Sequence, residues 1–568
     1  MSPNGERAPL LTPQPAQTYG SEPISLSEAP LEHSKEQRHH NLAGLSAWRF
    51  YAACVSVWSA TFLSAFDSTV VATLLGDISS SFNAFHLASW LGTAYLLSLA
   101  CFTPVYGRLA DALGRRDAQL IALVFFTIGT VGCAAAPTMM TLILSRGIAG
   151  IGGAGLTSVG SILLSDLVDL RHRGLYQGLA NMVYALGASL GGPVGGWAAD
   201  QFGWRVAFSA QVPLLFGSML AIWCFVPGDL GGRVRDSDDV HHTLTWKQKL
   251  ARIDYAGSAA LGVAVTALLL SMSLKTSGLG DVEYNWSDPL IWGLLLVFVA
   301  FTGIFLVIEA HWAAEPVLPL SMFKRATPTA VAVANLVMAM CIFSLLYNVP
   351  LYFIAVKLRS ATIAGVHLLP YSAFIGAGSL AVGFIMRATG RYYPAMVASG
   401  IIVVFSCAMM LTWSENTPEW LTWVAPSPAG FGYAGVLTTT LVALMADVAK
   451  EGTGEIAVGT TMTYMARTIG QVLGVSFSSA ILQSTLQSDL RARINDPDLV
   501  QLIRRNTEAV RTLPADVREI AVSAYSNGLK RIWVFNLVLA VITVIALSGA
   551  TNELMPESKR LDDDEAQC

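Results

Sequence analysis

Fourteen long apolar segments dominate the chain, near 49–75, 87–106, 118–136, 138–166, 174–199, 206–227, 254–274, 290–310, 330–353, 362–386, 394–413, 424–448, 459–484 and 530–550. A helix needs roughly 20 apolar residues to cross the hydrocarbon core of a bilayer, so each run is long enough to span. Lipid offers no hydrogen-bond partner to open backbone, and these runs exceed the length of barrel strands. The expected fold is therefore an all-α polytopic membrane protein. Charged residues make up only 13% of the 568, where a soluble domain carries about a quarter. A net charge of −4 leaves no broad basic surface for nucleic acid. The seven cysteines are scattered without a CxxC pair, so no disulfide framework, metal or cofactor is expected.

Residues 1–48 are polar and rich in Ser, Pro, Gln and Glu, and read as a disordered cytosolic tail without a signal peptide. Arg108, Arg115, Arg116, Arg171, Arg173, Arg233, Arg235, Lys247, Lys249, Arg252, Lys324, Arg325, Arg387 and Arg391 fall in loops after even-numbered segments. The alternate loops hold fewer cations, Arg205, Lys275, Lys357 and Arg359, which places both termini in the cytosol. The division expected is an N-terminal six-helix half at 49–227, linkers with two extra helices at 228–328, a C-terminal six-helix half at 329–550 and a cytosolic tail at 551–568. Residues 485–529 form a long non-cytosolic loop, expected as short amphipathic helices. Asn285 heads a glycosylation tripeptide assigned to the same side.

Two enzyme-like motifs lose their meaning in this setting. Gly150–Gly155 matches a dinucleotide fingerprint and Gly187–Gly191 a nucleophile elbow, yet both lie inside continuous apolar segments. Small residues at that spacing let helices approach closely in lipid. No catalytic reading survives.

Asp67, deep in the first segment, is the most informative residue. A carboxylate there costs roughly 3 kcal/mol to insert and commonly marks a substrate or proton site; the alternative is a structural carboxylate satisfied by a neighbouring helix. Arg146 in the fourth segment lies at a matching depth, roughly 12 Å from the outer end of its helix, and Tyr95 in the second reaches the same level. Asn181, Tyr184, Tyr347, Asn348 and Tyr352 are further candidates to line a substrate cavity, with Tyr352 read in preference as an interfacial or packing aromatic. Asp447 and Arg467 are expected to pair near the inner ends of their segments, as a gate or merely satisfying each other. Glu309 and His311 are expected to be solvated at a membrane boundary.

Gly107-Arg108-Leu109-Ala110-Asp111-Ala112-Leu113-Gly114-Arg115-Arg116 resembles the GxLaDrxGrk motif of the major facilitator superfamily. The resemblance implies that Gly107, Asp111 and Arg115 belong to a cytosolic gate, with Asp111 locking against a helix start near Gly459. Gly187 to Gly196, containing Pro193, resembles the antiporter motif of that family, although one residue fewer separates Pro193 from the last glycine pair. Pro193 lacks a backbone donor and can bend its helix. Arg146-Gly147 and the glycines after it resemble the family's fourth-segment motif, and residues 347–370 resemble segments nine and ten of its fourteen-span branch. The implied architecture is a major facilitator fold of two six-helix halves plus two extra central helices.

The wording of residues 64–78, 89–116 and 191–200 is similar to fungal vacuolar basic amino acid transporters. That implies proton-driven uptake of cationic amino acids into the vacuole; as a hypothesis from its burial, Asp67 alternates between a proton and the cationic cargo. Glu6, Leu10 and Leu11 match an acidic dileucine signal that a sorting adaptor can bind. A plasma-membrane exporter of drugs or siderophores, and an amino-acid-sensing transceptor, stand as alternatives.

Overall fold

The computed structural model describes residues 45–82, 84, 87–168, 170–228, 254–277, 284, 287–312, 322–359, 361–448, 456–505, 510–511 and 513–552. Helix follows helix with no sheet among them. The N-terminal half comprises α1 (Ala47–Ser81), α2 (Ala88–Leu113), α3 (Arg115–Ala135), α4 (Met139–Leu167), α5 (Leu170–Phe202) and the consecutive α6 (Trp204–Ser209) and α7 (Gln211–Phe225). Two helices, α8 (Tyr255–Ser277) and α9 (Pro289–His311), separate it from the C-terminal half. That half runs through α10 (Ala326–Ala355), α11 (Ala361–Val366), α12 (Leu369–Thr389), α13 (Tyr393–Met410), α14 (Glu419–Val424), α15 (Ser427–Val448), α16 (Ile456–Arg491), α17 (Pro497–Arg505) and α18 (Ala515–Ser548). Among the described residues, eleven helices are long and apolar enough to cross a membrane. Of the expected segments, those in α2, α5 and α8 are helical but fall short of that standard of length and apolarity.

Two expectations change here. The 485–529 region is mostly an extension of long helices: α16 continues to Arg491, α18 begins at Ala515, and α17 is a short helix between them. Val500, Ile503 and Val510 are buried, and Tyr525 donates to the Ile503 carbonyl at 2.8 Å, so this region packs on the bundle. Glu309 is buried rather than solvated, whereas His311 is exposed.

Helix contacts follow the glycines. On α4, a Cβ at Gly152 would run into the backbone of Ala122 and Phe126, and one at Gly150 into the Tyr95 carbonyl. On α5, Gly187, Gly191 and Gly195 sit against Phe62, Phe66 and Val70 of α1. Both enzyme-like motifs are thus packing surfaces on unbroken helices. Pro193 lies within α5 on the exposed side, facing away from the α1 contact.

The two halves meet toward the end carrying Gly107–Arg116. There Gly107 abuts Thr461, Gly178 lies against Ser379, and Gly174 against Met386 and Gly383. Ser165 and Arg173 reach the Met445 sulfur at 3.6 and 3.4 Å. Toward the opposite end a Cβ at Gly92 or Gly365 would meet nothing within 4 Å. The halves therefore meet closely at the end carrying Gly107–Arg116. Helix α8 packs on both α2 and α16, with Ala100, Val265, Leu269 and Val472 in one apolar cluster. Helix α9 packs on α8 and exposes Trp292, Leu296 and Val299, as a lipid-facing helix does.

These close approaches give a direct test. Gly152→Leu forces side-chain atoms into the backbone of α3, so a loss of about 2–3 kcal/mol is expected from overpacking. It should appear as a lowered unfolding temperature of the detergent-solubilised protein. Gly262→Leu, at a glycine with nothing within 4 Å of the added Cβ, should leave it unchanged.

Candidate functional site

Asp67 is placed by α1 in the interior of the N-terminal half, where it is 0% exposed, and Arg146 on α4 is 2% exposed. The Arg146 Nη1 donates to Asp67 Oδ2 at 2.6 Å, and its Nε donates to the Leu91 carbonyl at 3.4 Å. The guanidinium also lies 4.4 Å from the centroid of the Tyr95 ring, a cation–π geometry. The Tyr95 and Ser64 hydroxyls are 3.4 Å apart, and Gly153 leaves room for the Tyr95 hydroxyl, which a Cβ there would crowd. Three helices therefore bring the expected trio together. Asp67 Oδ1 remains buried without a hydrogen-bond partner.

One expectation about Asp67 is corrected. As the exchanger of proton for cargo it should face a water-filled passage, but in this conformation it is sealed behind Arg146 and Tyr95. A bare carboxylate cannot be left in a lipid-embedded bundle, and Arg146 neutralises it. Removing one partner of such a buried pair typically costs about 3–5 kcal/mol.

The remaining candidates divide sharply. Tyr184 on α5 is 38% exposed, and its hydroxyl lies within electrostatic reach of Tyr95 in its own half and of Tyr433, Tyr464 and Arg467 in the other. Asn181, one turn earlier, donates to Thr438 at 3.2 Å and ties α5 to α15. Tyr347 is 54% exposed. Asn348, expected beside it on a cavity wall, is instead buried and donates to the Ser344 carbonyl of its own helix at 2.7 Å. Tyr352 is packing: it is buried against Trp413 and donates to the Ser414 carbonyl at 2.8 Å.

At the end where the halves meet, Arg115 holds Asp111 at 2.6 Å and Asp166 at 2.8 Å, so the motif is clamped within its own half. The contact with the other half is made by Gly107 on Thr461, while Gly459 packs on Leu444. The expected Asp111–Gly459 lock is thus replaced, among the described residues, by a glycine–threonine contact one turn away. Asp111 Oδ2 has no hydrogen-bond partner there.

Asp447 and Arg467 do not pair. Asp447 accepts from Arg325 at 2.6 Å, and Arg325 also donates to the Asp447 carbonyl at 2.9 Å, closing the end of α15 onto the start of α10. Arg467 lies about 16 Å along α16 from its start at Ile456, too deep to reach the end of α15. It donates instead to Asn335 at 3.2 Å and stacks 4.6 Å from the Tyr464 ring centroid. Asn335 in turn donates to Thr440 at 3.1 Å. Sequence reading missed Asn335, although an amide amid the apolar residues of α10 is itself a signal. Glu6, Leu10, Leu11 and Asn285 lie outside the described residues.

The ion-pair assignment has a clean check. Exchanging charges in Arg325→Asp/Asp447→Arg should restore most of the folded yield that either single change loses, read by size-exclusion chromatography in detergent. Exchanging Asp447 with Arg467 should restore none.

Residues 57–475 match the family described as Major Facilitator Superfamily. The chain is 34% identical over 534 residues to the multidrug resistance protein fnx1 of Schizosaccharomyces pombe, covering 93% of this chain and 95% of that protein. It is 32% identical over 475 residues to the vacuolar membrane amino acid uptake transporter fnx2 of the same yeast, covering 83% and 79%. It is 28% identical over 484 residues to vacuolar basic amino acid transporter 2 of Saccharomyces cerevisiae, covering 84% and 100%. With its helical bundle and its two packed halves, this multi-pass membrane protein is a transporter, not an enzyme, and belongs to the major facilitator superfamily.

Proposed function

We infer that this transporter moves basic amino acids into the vacuole in exchange for protons, as a fourteen-span protein with both termini in the cytosol. In that orientation the end where the halves meet faces the cytosol. The observation that carries the reading is the buried Asp67–Arg146 pair, whose carboxylate keeps one oxygen without a partner. Two of the relatives named above, by their names, take amino acids at the vacuole, which supports the choice of cargo and membrane.

The geometry replaces direct competition at Asp67 with coupling through Arg146. While Asp67 is ionised, it cancels the arginine charge, and a cationic cargo near Tyr95 and Tyr184 meets no repulsion. A proton on Asp67 Oδ1 neutralises the carboxylate and leaves the Arg146 charge unbalanced beside Tyr95. Two unit charges roughly 10 Å apart at an effective dielectric near 20 repel by about 1.7 kcal/mol, enough to weaken cargo binding some 15-fold. Proton and cationic cargo thus disfavour one another, as antiport requires, and rocking of the two halves exchanges access. Gly107, Asp111, Arg115 and the helix around Pro193 serve as elements of the moving gate.

Asp67→Asn should abolish gradient-driven lysine and arginine uptake into acidified vesicles, by at least about 100-fold. The double variant Asp67→Asn/Arg146→Gln removes both charges, so it separates lost coupling from an unpaired buried arginine. Undiminished uptake in both would remove the pair from the mechanism. Replacing Leu10 and Leu11 with Ala should move a tagged protein from the vacuole to the cell surface, seen by microscopy.

The similarity to fnx1, a multidrug resistance protein, favours a second reading, a proton-driven exporter. Efflux of cationic drugs from intact cells, without any amino acid uptake by vacuoles, would select it.

A further inference from the structure

We propose that Arg467 anchors a carboxylate of the cargo, so that amino acids are gripped by their α-carboxylate in the C-terminal half while Arg146 and Asp67 govern the proton in the N-terminal half. This inference deepens the amino acid reading above and rests on it. Arg467 sits well inside α16, partly exposed, and among the described residues no carboxylate reaches it at salt-bridge distance. The contrast with Arg146, which holds a carboxylate at 2.6 Å, is direct. An intramembrane guanidinium without an acid is a site awaiting one.

What surrounds it fits a bound carboxylate. One terminal nitrogen is engaged by the neutral Asn335 oxygen at 3.2 Å, which aims the group without cancelling its charge. The Nε is buried and has no hydrogen-bond partner. A carboxylate bridging Nε and a terminal nitrogen would use the two-pronged geometry that arginine offers and lysine does not. A second buried atom is also unpaired: the Tyr371 hydroxyl on α12. Tyr371 lies within electrostatic reach of Tyr433 and Tyr184, and both of those lie within reach of Arg467. The two unpartnered donors thus share Tyr433 and Tyr184 as electrostatic neighbours, one from each half. Tyr184, exposed between Tyr95 and Arg467, offers its ring to the ammonium end of the same molecule. An amino acid bridging the cluster would touch both halves at once, as a cargo that drives closure must.

The test compares basic amino acids with their decarboxylated amines: lysine with cadaverine, arginine with agmatine. Binding is read from thermal stabilisation of the purified full-length protein in nanodiscs, titrated to high millimolar ligand. The unaltered protein should hold the amino acids at least 30-fold more tightly than the amines. Arg467→Gln should weaken lysine by at least 30-fold and cadaverine by less than 3-fold, erasing the preference. Tyr371→Phe removes only the unpaired hydroxyl and should weaken lysine several-fold with cadaverine unchanged, which tests the site even if the arginine variant fails to fold. Equal binding of lysine and cadaverine by the unaltered protein, or equal losses for both ligands in the two variants, overturns the anchor while leaving amino acid transport standing. Binding of none of the four ligands overturns the amino acid reading and the anchor together.

Discussion

Inside a bilayer, a charge must find its opposite within the protein, because neither lipid nor bulk water will neutralise it. The Asp67–Arg146 pair answers that constraint in the interior, and the pairs at the helix ends follow the same rule. Asp67 and Arg146 satisfy each other across α1 and α4, Arg115 divides itself between Asp111 and Asp166, and Arg325 is matched by Asp447. Each pair also pins two chain segments, so charge neutralisation and helix placement are the same event. Arg467 departs from the pattern, and its neutral partner Asn335 positions the guanidinium without cancelling it.

Backbone proximity is the second organising factor. With no hydrophobic drive between helices already in lipid, association rests on close packing, and glycine allows it. The Gly150–Gly155 stretch brings α4 against α2 and α3, while Gly187, Gly191 and Gly195 bring α5 against α1. These contacts lie within one half and make it a rigid unit. The contacts between halves have a different character: Gly107 on Thr461, Gly174 and Gly178 on α12, and the Met445 sulfur against Ser165 and Arg173. None of them is an ion pair among the described residues. Small surfaces and a thioether form an interface that can separate at modest cost, which suits a gate better than a salt-bridged seam would.

The polar groups also form a sequence in space. Asp67 accepts from Arg146, Arg146 stacks on Tyr95, and Tyr184 lies within electrostatic reach of both Tyr95 and Arg467. In the proposed mechanism, a change of charge at the first member is carried along this row by electrostatics and contact. Coupling of this kind requires only that both ends bias the same two arrangements of the halves.

Much of this was legible in the residues themselves. Apolar run length determined the helical bundle, because a lipid-embedded backbone has no alternative to internal hydrogen bonding. The GxLaDrxGrk-like stretch identified the family, and an aspartate and an arginine buried at equal depth in separate runs announced a pair. What sequence could not decide was which side chains face one another around each helix axis. Asn348 turns onto its own helix, Asp447 takes Arg325 rather than Arg467, Glu309 is covered, and Gly107 rather than Asp111 meets the opposite half. Each depends on the rotation and tilt of helices that are distant in sequence, set by how neighbouring surfaces interlock. Run length and depth are one-dimensional quantities that a linear chain carries; facing is three-dimensional, and only the packed bundle contains it.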